Sequence, residues 1–101
     1  EYMQWEFHKW GVDVVLSAHD HIYARLENPE EEGTHYIING LGGKSRYRCN
    51  DNILAPGISV LACFDDNFGA MRCMVTPNRL EMAFYSIGDP GNPVDQLVIL
   101  K

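Results

Sequence analysis

The sequence predicts a mixed α/β or α+β chain, with one N-terminal helix, a buried strand and then mostly antiparallel strands. Three observations predict it. In residues 1–10, Met3, Phe7 and Trp10 recur at helical spacing with Gln4, Glu6 and Lys9 interleaved. The run Val12-Asp13-Val14-Val15-Leu16 is β-branched and apolar, the composition of a strand covered on both faces. Further on, Leu80, Met82 and Phe84 alternate with Glu81, Ala83 and Tyr85, the period of a half-buried antiparallel strand.

The first helix should stop at Gly11 and lead directly into the strand at 12–16, as in a layered α/β crossover. Trp5 and Trp10 are then simplest as core contacts of that helix. Ser17-Ala18 closes the strand, and His19-Asp20-His21 follows. Asn28-Pro29-Glu30-Glu31-Glu32-Gly33 is an acidic, solvated turn. Residues 34–39 form a second short strand, closed by Gly40-Leu41-Gly42-Gly43. The polar, irregular stretch 44–57 marks a surface loop. Residues 58–64 and 68–75 are strands joined by Asp65-Asp66-Asn67. Thr76-Pro77-Asn78-Arg79 is a turn, with Pro suited to its second position and Asn to its third. Asp89-Pro90-Gly91-Asn92-Pro93 turns the chain into a last strand at 94–100. No internal repeat is present.

At 101 residues the chain is one small domain or part of a larger one. Its 46% hydrophobic and 22% charged content excludes a mostly disordered chain. A net charge of −6 argues against nucleic acid, which needs a basic face. It does not oppose a small phosphorylated substrate, which needs only a local field in a cleft. No apolar run reaches the roughly 18 residues of a membrane span. The chain begins with Glu1 rather than Met, as a processed or truncated chain would. Three cysteines, Cys49, Cys63 and Cys73, allow one disulfide plus a free thiol or three buried thiols, and buried thiols are the favoured reading.

The two histidines one residue apart need an explanation. In extended backbone alternate side chains point the same way, so His19 and His21 would face one cleft while Asp20 faces away. Neutral imidazole suits zinc, iron, copper and nickel, and a strand end opening into a loop is where α/β sheets commonly place sites. The bland alternative is two loop histidines without a role. His8 reads as a helix-surface residue and His35 as a strand-edge residue. Tyr23 and Arg25 either pack under the loop and pair with an acid, or contact substrate. Gly40, Gly42 and Gly43 make either a tight turn or an anion-binding nest. Lys44, Arg46 and Arg48 form either a solvated loop face or a field drawing a phosphorylated substrate.

Residues 11–25, from Gly11 through Ser17-Ala18-His19-Asp20-His21 to Tyr23 and Arg25, resemble the last metal-binding motif of the calcineurin-like metallophosphoesterases. There a buried strand runs into Gly-His-x-His, often followed by a Tyr and an Arg. Tyr36-Ile37-Ile38-Asn39-Gly40-Leu41-Gly42-Gly43 is similar to a strand and glycine turn of purple acid phosphatases. Residues 68–85 and 94–99 are similar to their closing strands, and the order is most similar to the small, tartrate-resistant type. The resemblance covers nearly the whole chain and is most specific at the histidines. It implies that residues 1–101 are the C-terminal portion of a metallophosphoesterase β-sandwich. His19 would bind one metal of a bridged pair and His21 the other, the pair being Fe with Fe, Zn or Mn. The reaction implied is hydrolysis of a phosphate monoester, with the two metals polarising phosphoryl oxygens and activating water.

The same resemblance implies that the other ligands, in Asp-x-His, Gly-Asp, Gly-Asn-His and a further His, lie in an N-terminal half that acts as partner to this one. Asp-x-His and Gly-Asn-His do not occur in this sequence, and its one Gly-Asp, Gly88-Asp89, follows the histidines rather than preceding them, so the isolated chain should be inactive and bind metal weakly or not at all. The family suggests a secreted, periplasmic or lysosomal setting. One departure is Ala18, where the family has Gly; if that position needs φ > 0 or close backbone approach, Ala strains the loop. The alternative is a non-catalytic structural or binding module derived from the same fold. A cupin-like barrel, which also uses His-x-His, would need Gly where Asp13 stands and a later His beyond His35.

Overall fold

Two sheets divide the strands by their order along the chain. The structure, a computed structural model, describes residues 6–43, 45–46, 49 and 58–101. The first sheet holds β1 (Val14–Ser17), β2 (Tyr23–Glu27), β3 (His35–Asn39) and β4 (Ser59–Phe64), in the order β1-β3-β2-β4. β1 runs parallel to β3, with Val14 opposite His35 and Ser17 opposite Ile38. β2 is antiparallel to both β3 and β4. The second sheet is an antiparallel meander of β5 (Gly69–Thr76), β6 (Arg79–Ser86) and β7 (Asp95–Leu100).

This is a β-rich domain with almost no helix among the described residues. The expected N-terminal helix is reduced there to a 3-10 turn, Phe7–Trp10; Met3 and Trp5 lie outside the described residues. Gly11 does stop the turn. It is left-handed at φ 76, and its N–H donates to His8 O at 3.4 Å while Val12 N–H donates to Phe7 O at 3.2 Å. Only Gly takes that backbone without a steric penalty. Trp10 is not a core contact. It is 61% exposed and packs edge-on against Phe7, because the turn is too short to bury a face.

The strand at Tyr23–Glu27 was not anticipated. It occupies the inside of the first sheet, between β3 and β4, with a register shift between Arg25 and Leu26 that leaves Leu61 as the extra residue of a bulge. The other strands fall within a residue or two of the expected spans. At the β5–β6 hairpin Thr76 pairs with Arg79, and neither Pro77 nor Asn78 is left-handed. That backbone suits a type I turn.

The sheets meet through their inward faces. Tyr23, Ile37 and Leu41 from the first layer pack with Met82, Phe84 and Leu97 from the second. The Tyr23 ring stacks on Phe84 at 4.2 Å between centroids, and Phe64 tilts against Phe84 at 5.9 Å. Beside this stack lies an inter-sheet polar clamp. Arg25 donates through Nε to Asp95 Oδ2 at 2.8 Å and through Nη2 to Oδ1 at 3.1 Å, and Tyr23 O–H donates to Asp95 Oδ2 at 2.7 Å. Arg25 therefore sits on the core face without an orphaned charge.

Candidate functional site

Parallel pairing places the carboxyl ends of β1 and β3 side by side, at an open concavity of about 320 Å³ lined by Leu16, Ser17, Ala18, Asn39 and Met71. Just past this point the chain stops being extended. Residues 19–22 form a bend, and His19, exposed to solvent, has φ 82. The alternation that would aim His19 and His21 into one cleft therefore does not apply, because it requires extended backbone. The left-handed residue is His19 and not Ala18, so the family's Gly is not needed at position 18 for φ > 0. A single left-handed L-residue costs about 1–2 kcal/mol, and His is among the types that tolerate it.

The bend is held from below by the glycine turn. Ile22 N–H donates to Asp20 O at 2.8 Å, and Gly40 N–H donates to Ile22 O at 2.9 Å. A Cβ on Gly40 would collide with the Asp20 carbonyl and crowd His21 Cα. Gly40 thus serves close backbone approach, as part of a tight turn. Gly43 is left-handed at φ 138, while Gly42 faces open space.

His21 is half-buried, and its Nδ1 shares a 2.6 Å hydrogen bond with Ser45 Oγ. Ser45 belongs to a short segment tied to the β4–β5 turn. Arg46 Nη1 donates to the carbonyls of Asp65 at 2.9 Å and Asp66 at 2.5 Å, and its guanidinium lies 5.8 Å from the centre of the Phe68 ring. Cys49 N–H donates to Asp65 Oδ2 at 2.7 Å. Cys49 is bonded to Cys63 of β4, leaving Cys73 as an exposed free thiol. The expectation of three buried thiols is thereby corrected: the fold brings Cys49 beside β4, and Cys73 lies on a part of β5 that the first sheet does not cover. Lys44 and Arg48 lie outside the described residues, so of the three basic residues only Arg46 can be placed, and it binds backbone.

The remaining histidines lie elsewhere. His8 Nδ1 is 3.2 Å from Glu31 Oε1, within ion-pair range but out of line for a hydrogen bond. His35 begins β3, which lies between β1 and β2 and is no edge strand. Its Nδ1 is buried without a hydrogen-bond partner among the described residues. Among the described residues no three His, Cys, Asp or Glu side chains gather as a metal-binding group. Nor, among them, is any helix long and apolar enough to cross a membrane.

Tyr23 and Arg25 act structurally, through Asp95. Burial first, and the hydrogen bond to Asp95 second, push the Tyr23 phenol well above its ordinary value. For Asp95, burial is the largest single influence and works upward. The hydrogen bonds from Arg25 and Tyr23 together outweigh it and hold the carboxyl below its ordinary value. Comparisons of the sequence with models of known protein families and with characterised proteins found no match. Sequence reasoning missed Ser45 and Asp95, which reach their partners from 24 and 70 or more positions away and carry no local signature.

Proposed function

We propose that this chain is the C-terminal portion of a binuclear-metal phosphoesterase, similar to the purple acid phosphatases among the calcineurin-like enzymes, that hydrolyses phosphate monoesters. The observation that carries the proposal is the His19-Asp20-His21 bend at the carboxyl end of β1, with His21 held at Nδ1 by Ser45. A hydrogen bond at one ring nitrogen is how metal-bound histidines are commonly oriented. His19 would hold one metal and His21 the other.

The donor set fits in kind but is incomplete in number. A zinc site, for comparison, takes at least three protein ligands, so further ligands would come from segments outside these 101 residues. When bound, the metal pair, Fe with Fe, Zn or Mn, supplies Lewis-acid polarisation of the phosphate and an activated water. The residues of this chain hold and orient; none of them needs to move a proton. The Cys49–Cys63 disulfide supports a secreted, periplasmic or lysosomal setting, because such bonds persist where the surroundings are oxidising. The rival reading, a non-catalytic module of the same fold, leaned on Ala18; Ala18 is not left-handed, so a need for φ > 0 at that position lends it no support.

The test is turnover of a phosphate monoester by the longer protein that carries this chain, supplied with Fe, Zn or Mn. His19→Ala and His21→Ala should each lower kcat/KM by about 100-fold or more, at least as much as losing an outer-shell partner. Full turnover in both variants would overturn the proposal.

A further inference from the structure

We infer that the Cys49–Cys63 disulfide is a clamp that positions His21, acting through Ser45, and that a dithiol reductant releases it. The consequence for metal binding rests on the reading of His21 as a ligand; the positioning itself does not.

The argument is one of connectivity. Both ends of the His21–Ser45 hydrogen bond are anchored to the same strand ladder. On one side, His21 runs through Ile22 into β2, where Tyr23 pairs with Phe64 and Ala24 pairs with Cys63. On the other, Ser45 runs to Cys49, which is bonded to that same Cys63. The path from His21 to Ala24, across to Cys63, through sulfur to Cys49 and back to Ser45 is therefore a closed circuit. Ser45 lies outside every strand, so no ladder of its own holds it in place. Its other described anchors, the Arg46 bonds to the Asp65 and Asp66 carbonyls and the Cys49 N–H bond to Asp65, are non-covalent. Arg46 is itself exposed, where such bonds compete with water.

Of the two cysteines Cys63 is the exposed residue and Cys49 the half-buried one, which favours attack at Cys63. A dithiol thiolate bonds to Cys63 Sγ, the S–S bond breaks, and Cys49 leaves as a thiolate that takes up a proton. The second thiol of the reductant then closes on the mixed bond and frees Cys63. The protein disulfide gains two electrons and two protons, and the dithiol becomes a cyclic disulfide. Apart from the backbone itself, Ser45 is then held, among the described residues, by the non-covalent bonds of Arg46 and Cys49 to the β4–β5 turn.

The experiment is long-range proton–nitrogen NMR of the imidazole rings in the chain labelled with ¹⁵N-histidine, at one pH where the rings are neutral. In the oxidised chain His21 should show one dominant tautomer. Ser45→Ala and dithiothreitol reduction should each move its ring nitrogens away from that oxidised pattern, and by the same pattern of change. Ser45→Thr, which keeps the hydroxyl, should restore the oxidised pattern, a rescue that a merely structural role for Ser45 would not give. His21 shifts unmoved by Ser45→Ala or by reduction would overturn the inference.

Arg46→Ala in the oxidised chain keeps the test decisive if reduction also loosens the sheets. His21 should stay fixed in that variant, and its release there would show that Arg46, not the disulfide, is the clamp. The ring spectra need no metal, so they decide the clamp alone. Turnover of His21→Ala decides the metal reading alone.

Discussion

Between Ala18 and Ala24 the chain passes from its open surface to its core. Ala18 and His19 are exposed, and His19 is left-handed; Ile22, Tyr23 and Ala24 are 1%, 2% and 0% exposed. The first stretch carries the groups able to bind a ligand, and its shape is imposed by neighbours, Gly40 beneath and Ser45 beside. The second carries the packing that joins the sheets. Strained, exposed residues persist only where the surroundings over-determine them. Here the buried stretch, which begins three residues on at Ile22, supplies that rigidity. Substitutions in the two stretches should therefore differ in kind as well as in size.

The largest effect should come from the buried side. Phe84→Ala removes the ring on which Tyr23 stacks and should cost about 3–5 kcal/mol in denaturant unfolding. A cost under about 1 kcal/mol would mean that the sheets are not held by this stack, and the contrast would fail.

Next is the Arg25–Asp95–Tyr23 clamp. Arg25→Ala strands a carboxylate whose side chain is 9% exposed and should cost about 3 kcal/mol. Its pH dependence has a definite sign on each side. Asp95 has a lowered folded pKa, so its stabilisation is present above the unfolded carboxylate range and is lost as pH falls through the lower folded value. Tyr23 has a raised folded pKa, so its contribution is complete below the unfolded phenol range and is lost as pH rises towards the higher folded value. Unfolding free energies measured from pH 2 to 11 should fall at both ends in the wild type. In Asp95→Asn the acid arm should flatten, and an unchanged acid arm would show that other carboxylates set it.

The smallest effects sharpen the exposed side. Gly40→Ala forces a methyl group against the Asp20 carbonyl and should cost about 1–3 kcal/mol while displacing the bend. His19→Gly relieves the left-handed strain but gives the unfolded chain more freedom, so stability should stay within about 0.5 kcal/mol of wild type. Thermal melts of both variants check the order, and a reversed order would move the strain away from His19.

The parts of this fold legible in the sequence are those set by period. Leu80, Met82 and Phe84 do line the inner face of β6, and Pro77-Asn78 does turn the hairpin. β2 was not legible, because Arg25 breaks the apolar alternation and its partner Asp95 is 70 positions away. The pairing of Cys49 with Cys63 was one option that the count allowed and spacing could not choose. At the site, the histidines were legible as residue types. Their backbone was not, since nothing local marks His19 rather than Ala18 as the left-handed residue; that follows from how the bend lies on Gly40.

The β5–β6 hairpin has a consequence for how the chain comes together. Its eight pairs run from Thr76 opposite Arg79 to Gly69 opposite Ser86, all between near neighbours in sequence. Local pairs of this kind close quickly, whereas the parallel pairing of β1 with β3 must wait for β2 to find its place between β3 and β4. Phe84 and Asp95 leave the ribosome after Tyr23 and Arg25, so the strands of the first sheet are synthesised before the layer that covers them. During that interval Tyr23 and Ile37 have no second sheet to pack on. The finished meander, closing on itself first, is the surface against which the earlier half sorts its register.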